Sequence, residues 1–293
     1  MDLEQFSEAL ADRLAAISYV VAVRTGRRDC SGILWRDDVV VTSEQLLPDR
    51  SAFTVIRNGA EVQAHLTGRD PGTNVAVLRL AQGLGGTMPE AAASPRPGSL
   101  ALIVGADSAG APTGRLGMVH ATGPAWHSMG GGRVDALVRV DARLGADEGG
   151  AVVTLGGRLL GMSTSGPRRR ALAIPPATIE RVLEPLLTEG RIARGWLGVG
   201  LQHVLVPERM REAAGRDAGM MVVGLASGAP AEQAGVLPGD IILEVDGKQT
   251  GRARGLASAL APERIGQPAT LKLLRAGEVH MVTVTIAARP AKA

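Results

Sequence analysis

Two adjacent carboxylates, Asp147 and Glu148, stand directly before the glycine pair Gly149-Gly150. Together with Asp141 they could hold a hard cation, because calcium and magnesium take oxygen ligands. No His or Cys accompanies them at ligand spacing. They therefore read as solvated loop carboxylates, and neither a metal site nor a cofactor is expected. The five histidines, His65, His120, His127, His203 and His280, are scattered along the chain. No serine, base and orienting group fall into a spacing that would bring three of them together. Cys30 has no base beside it in sequence and reads as a small buried or loop residue.

The elements that must position these groups are short strands. Residues 151–161 (AVVTLGGRLLG) form a strand, a Gly-Gly turn and a second strand. Upstream, Tyr19–Val23, Ser31–Trp35, Val39–Thr42, Phe53–Ile56, Val62–Leu66 and Val75–Leu80 are apolar or β-branched runs bounded by turn residues. Leu100–Val104, Leu116–Ala121, Ala136–Val140, Ala151–Val153, Leu159–Ser163 and Leu172–Ile174 supply six more. Such a series predicts two packed antiparallel barrels. An amphipathic helix is expected over residues 2–16, with Leu3, Phe6, Leu10 and Leu14 at helical spacing, docked on the body or on a neighbouring subunit. Pro175-Pro176 ends the strands, and Ala177–Thr188 reads as a second helix.

Composition narrows the function classes. At 293 residues there is room for two domains. Aromatics are only 2%, so the cores must be built from aliphatic residues. The net charge of +3 is spread along the chain, and its densest run is Arg168-Arg169-Arg170. No clustered basic face with interleaved aromatics is visible, so nucleic acid is not an expected partner. A lone cysteine excludes an intramolecular disulfide. The start, MDLEQFSEALADRL, lacks the basic and apolar regions of a secretion signal. The apolar stretch Ala15–Val23 is too short to span a bilayer. A cytoplasmic location without a membrane span is the expectation.

The division expected is an N-terminal helix over 1–17, a barrel domain over 18–189, a linker at 190–194 and a second domain over 195–289. In the last, Gly195-Trp196-Leu197-Gly198-Val199 opens a strand. The run from Gly219 to Gln249 then reads as strand, short helix at Ala231–Ala234, turn at Leu237-Pro238-Gly239-Asp240, strand and hairpin turn at Asp246-Gly247. A helix near Ala253–Ala261 and strands Ala269–Arg275 and Val279–Ile286 close it. This unit resembles a bacterial PDZ domain, a small α+β fold. The resemblance implies that the backbone of Trp196-Leu197-Gly198 receives a peptide's terminal carboxylate and that the strand Val199–Gln202, with Leu201, accepts the peptide by β-augmentation. Leu197, Val199, Leu256 and Leu260 would line the pocket for its last side chain.

A PDZ unit behind a double barrel resembles the HtrA (Deg) family of trypsin-like serine proteases, over about residues 18–289. VVVTSEQLL (39–47) is similar to that family's histidine segment, GRDPGTNVAVLRL (68–80) to its aspartate segment, and Glu148-Gly149-Gly150 to its serine segment. ALAIP (171–175) fits the strand that closes the family's substrate cleft, and Ser163 and Ser165 fall at positions resembling its pocket wall. The three matched catalytic positions hold Gln45, Asn74 and Glu148. An amide is no base near neutral pH, and a carboxylate is not a serine-type nucleophile. Ala146, Asp147 and Glu148 occupy the oxyanion loop, where negative charge opposes the transition state. The expectation is thus a mainly β pseudoprotease, not an enzyme, that binds protein C-termini or extended peptides as scaffold, adaptor or regulator. The rival expectation is an HtrA-family serine endopeptidase with a rearranged active site, in protein quality control. The resemblance also implies a homotrimer built from the barrel domain.

Overall fold

The computed structural model describes residues 2–26, 29–85, 88, 90–128, 130–166, 170–250 and 259–290. It divides into two compact units, residues 1–126 with 134–192, and 127–133 with 193–293.

The first unit begins with helix α1 (Leu3–Ala15), started by a capping box in which Asp2 Oδ1 accepts from the Gln5 N–H at 2.8 Å and Gln5 Oε1 accepts from the Asp2 N–H at 3.2 Å. None of its residues is buried. Strands β1 (Val20–Arg24), β2 (Cys30–Arg36), β3 (Val39–Ser43), β4 (Ala52–Arg57), β5 (Ala60–Asp70) and β6 (Val75–Leu80) follow. They close into a barrel in the order β1-β2-β3-β6-β5-β4. The remaining long strands are β7 (Leu100–Ala106), β8 (Pro112–Gly123), β11 (Leu137–Arg143), β12 (Ala151–Thr154), β13 (Leu159–Ser165) and β14 (Arg170–Ile174), with the two-residue strands β9 (Trp126–His127) and β10 (Arg133–Val134) between β8 and β11. The long strands close a second barrel whose cyclic order, β7-β8-β11-β14-β13-β12, repeats that of the first.

Closure removes the sheet edges that an open antiparallel sheet would expose. Aliphatic residues fill both interiors, among them Val21, Val23, Val40, Val55 and Leu78 in the first and Ile103, Val119, Val140, Val152 and Ala171 in the second. Helix α2 (Pro176–Thr188) buries Ile179, Val182, Leu183 and Leu186. It is tied to β2 by Trp35 Nε1, which donates to Glu180 Oε1 at 2.6 Å, and by the Arg36–Glu184 ion pair.

The second unit contains β15 (Gly195–Trp196), β16 (Val199–Leu205), α3 (Glu208–Ala214), β17 (Ala218–Leu225), α4 (Pro230–Gln233), β18 (Ile241–Val245), β19 (Lys248–Gln249), β20 (Pro268–Arg275), β21 (Glu278–Thr285) and β22 (Ala287–Ala288). The main sheet runs β16-β17-β18-β20-β21, with β19 beside β18, and β15 pairs with β22. Its core gathers Leu197, Val222, Ile242, Val245, Leu271, Leu273 and Ile286. The architecture is the mainly β one expected: two barrels, then a small α+β domain. Helix α3 was not foreseen. Most of the helix expected near Ala253–Ala261, with Leu256, lies outside the described residues, as do Arg168 and Arg169.

Candidate functional site

Each half of the first unit contributes side chains to one polar cluster. From the first barrel come Ser43, which ends β3, and Gln45, in the single 3-10 turn that follows. Asn74 closes the turn between β5 and β6. That turn is held by Asp70, whose carboxylate accepts from the N–H of Gly72 at 3.0 Å and from the N–H and hydroxyl of Thr73 at 3.1 and 2.7 Å. Asn74 sits at φ 58°, a left-handed conformation that Asn tolerates better than most residues. From the second barrel come Glu148, in the loop between β11 and β12, and Thr164 and Ser165, which end β13.

The three positions expected to correspond to a catalytic triad do meet. Asn74 Oδ1 accepts from the backbone N–H of Gln45 at 2.8 Å, and Gln45 Nε2 donates to Glu148 Oε1. Asn74 Nδ2 donates to Ser43 Oγ at 2.9 Å and to Thr164 Oγ1. Glu148 is only 5% exposed, yet among the described residues it has no cationic partner. The donors that reach it among the described residues are the Ser43 hydroxyl at 3.2 Å, the Gln45 amide, the Ser165 N–H at 3.0 Å and the Ser165 hydroxyl at 2.5 Å. Hydrogen bonds to an ionised acceptor are shorter and stronger than neutral ones, so this set can hold a buried carboxylate.

The expectation of solvated loop carboxylates gives way here. Asp147 and Glu148 are both buried, because the loop folds inward. Asp147 turns away from Glu148 and accepts from Arg115 Nε at 3.1 Å and from the Gly145 N–H at 2.8 Å. The Ala146 carbonyl accepts from the Ser31 hydroxyl at 2.7 Å, and the Glu148 N–H donates to the Gly145 carbonyl at 3.3 Å. Gly149 is required where it is. At φ 89° its added Cβ would stand 2.2 Å from the Ser31 carbonyl oxygen. Cys30, next to Ser31, is buried; burial pushes its thiol up to about 12, the Thr42 hydroxyl opposes that, and the Glu148 charge adds to it. Among the described residues, no three His, Cys, Asp or Glu side chains converge as metal ligands.

Sequence reasoning missed Ser43, Thr164 and Ser165 as members of this cluster. The signal available was the hydroxyl run Ser163-Thr164-Ser165, read only as pocket wall. Within it, Ser163 turns to the Asp147 carbonyl at 2.7 Å, whereas Ser165 faces Glu148.

In the second unit, β16 has β17 as its one neighbour, so its other side is an open edge among the described residues. Leu197 is 1% exposed and belongs to the core, leaving its backbone rather than its side chain for the loop. Val199, Leu201 and Leu260 are half-buried against that core and Trp196 is half-buried beside them. Gly198 is left-handed at φ 78°, with Ala229 Cβ 2.1 Å from where its own Cβ would lie.

Comparison with known proteins agrees with this division. Residues 30–162 match the trypsin-like peptidase domain family and residues 195–286 the PDZ domain family. A probable periplasmic serine endoprotease DegP-like from Rhizobium meliloti is 32% identical over 267 residues, 88% of this chain and 52% of the relative. A putative serine protease HhoB from Synechocystis is 28% identical over 86% of this chain and 64% of the relative. The chain thus spans about half the length of the first of these. Among solved structures, the serine endoprotease from Yersinia pestis superposes with a TM-score of 0.72 at 27% identity, covering 97% of this chain and 98% of the other. The HtrA-type protease AlgW with decapeptide shares the fold at a TM-score of 0.73 and 23% identity.

These relatives correct two expectations. They are named serine endoproteases, which overturns the reading of the chain as not an enzyme. That reading rested on the residues at 45, 74 and 148 and placed Ser163 and Ser165 at the pocket wall, with no spacing that suggested a relocated triad. The Rhizobium relative is named periplasmic, which overturns the cytoplasmic placement. By its domain families, its relatives and its fold, the chain belongs to the HtrA family, a trypsin-like peptidase domain followed by a PDZ domain.

Proposed function

We propose that this chain is an HtrA-family serine-type endopeptidase with a rearranged active site, working in protein quality control in the periplasm. The observation that carries this reading is the hydrogen bond from Ser165 Oγ to the buried Glu148 carboxylate. A nucleophilic hydroxyl needs a base within hydrogen-bond reach and a third group to orient that base. Glu148 is the base, and Gln45, itself held by Asn74, is the orienting group. In the first step Ser165 Oγ bonds to the substrate carbonyl carbon while its proton passes to Glu148. The proton then goes to the departing amine as the C–N bond breaks. Water, deprotonated by Glu148, then bonds to the acyl carbon; the Ser165 Oγ–carbon bond breaks, and Glu148 returns the proton to Ser165 Oγ as the acid product leaves.

The PDZ unit supplies substrate capture. Its open β16 edge suits β-augmentation by a protein C-terminus or an extended peptide, with Val199, Leu201 and Leu260 beside an apolar terminal side chain and the Trp196-Leu197-Gly198 backbone at the carboxylate. A homotrimer formed through the barrels, and the division into 1–17, 18–189, 190–194 and 195–289, complete the proposal.

The test is hydrolysis of denatured casein by the wild-type chain and by Ser165→Ala and Ser163→Ala. Cleavage should fall at least about a hundredfold in Ser165→Ala and persist in Ser163→Ala. A wild-type chain that leaves casein intact over a day, or a Ser165→Ala chain that cuts at the wild-type rate, refutes the assignment.

A further inference from the structure

Strands β11 and β14 bring two arginines face to face. Arg143 is the cross-strand partner of Arg170, at the end of the ladder where the register shifts between Val140 and Arg143. Both are exposed. Among the described residues neither makes an ion pair or a side-chain hydrogen bond. Like charges directly opposite in a sheet are destabilising, so this pairing costs the second barrel stability and returns none through an internal partner.

Its place in the fold suggests what offsets that cost. Arg143 is the last residue of β11, and the next segment is the loop that carries Asp147 and Glu148. Arg170 precedes Ala171, which is the cross-strand partner of Ser165. The Arg170 carbonyl also accepts from the Gly166 N–H at 2.9 Å, fixing this corner of the hairpin. Gly166, the residue after Ser165, thus faces Arg170 at the end of this strand pair, so a polypeptide that runs over Ser165 and on past Gly166 passes within the length of an exposed arginine side chain.

We propose that Arg143 and Arg170 form a subsite for acidic side chains of the bound polypeptide, so that acidic segments of unfolded proteins are the preferred substrates. The inference rests on the site proposed around Ser165 and Glu148. A peptide fits better than other anions. The two arginines have Asp141 on the same strand as Arg143 and the two acidic loop residues beyond it, a small cationic spot that suits one or two carboxylates. A nucleic acid would ask for a continuous basic track with aromatic stacking platforms, and aromatics are only 2% of this chain. Arg115 is not available as a third member, because it is paired with Asp147.

The experiment measures binding apart from cleavage. The full chain bearing Ser165→Ala is titrated with a fluorescent Glu-rich dodecapeptide and with its Gln counterpart, both amidated at the C-terminus so that the PDZ loop has no carboxylate to take. At low ionic strength the acidic peptide should bind about tenfold more tightly, and added salt should erase the difference. The preference should vanish in Arg143→Gln/Arg170→Gln and survive in Arg143→Lys/Arg170→Lys, which keeps the charge. Equal binding of the two peptides, or a preference unchanged by the Gln double variant, overturns the subsite. An oligonucleotide of equal charge that displaces the acidic peptide overturns the choice of partner. If the preference holds but Ser165→Ala still cuts casein, the subsite stands and the nucleophile assignment alone falls.

Discussion

The cleft cluster of the first unit and the β16 edge of the second are built in opposite ways. In the cluster, one buried carboxylate takes up the donors around it: Ser43, Gln45 and Ser165 all spend hydrogen bonds on Glu148. At the β16 edge, main-chain groups lie along a strand that has, among the described residues, a neighbour on one side only. The first site is satisfied from within and must loosen to admit a substrate, while the second is completed by what it binds. Both depend on one left-handed glycine, Gly149 or Gly198, at a point where a side chain would collide. A polar site can thus be kept ready either by internal saturation or by an unfinished sheet.

Substitutions can break this comparison at several strengths. The largest effect is expected for Leu197→Asp. A carboxylate placed in the second core without a partner should cost about 4 kcal/mol or more and unfold that unit. Fluorescence of Trp196 during urea titration should show the loss while the barrels keep their own transition. Next come the two glycines. Gly149→Ala would drive its methyl group against the Ser31 backbone and should cost about 2–4 kcal/mol. Gly198→Ala meets side chains, the Ala229 methyl group and the edge of the Trp196 ring, rather than backbone, and should cost less, about 1–3 kcal/mol. Denaturation midpoints of the two variants check the order, and the reverse order would mean that the Gly149 loop yields more readily than its contacts imply. Glu148→Gln is a smaller change in shape. It sets an amide against the Gln45 amide and the Ser165 hydroxyl, so a loss of about 1–2 kcal/mol is expected, together with loss of casein cleavage.

The smallest effect is one of acidity and belongs to the second unit. Burial pushes the Asp240 carboxyl upward, but hydrogen bonds from Arg275 and the Leu237 N–H and the Arg275 charge outweigh it and leave it below the usual range. Glu244 is lowered by its hydrogen bond from Arg216, against burial, with the charges of Arg216 and Lys272 adding to it. Groups lowered in the folded state add stability that is fully present above their unfolded values, near 3.8 and 4.5, and is lost as pH falls through the folded ones. Acid melting followed at Trp196 should therefore flatten in Asp240→Asn, and an unchanged acid limb would discount the Asp240–Arg275 pair.

The twelve long strands of the barrels were legible because apolar runs and turn residues alternate locally. Barrel closure and the repeated strand order were not, since they rest on pairings such as Val20 with Ile33 and Val39 with Arg79 that no local pattern encodes. The meeting of Gln45, Asn74 and Glu148 was foreseen only through family likeness. Ser165 was missed because its partner lies 17 residues away across the β12–β13 hairpin, and which hydroxyl of Ser163-Thr164-Ser165 turns to Glu148 depends on strand register. Helix α3 was missed for another reason. Its seven residues, ERMREAA, are too few to display a helical period, and Gly215 at φ 68° stops it at once.

The burial of Cys30 has a practical consequence. As the chain's single thiol, sealed beneath the loop that carries Glu148 and held in its unreactive form, it is a built-in chemical clock. An alkylating reagent can mark it only during the intervals when β2 and that loop part. The speed of labelling then counts those intervals, and a substrate that pries the cleft open should make the clock run faster.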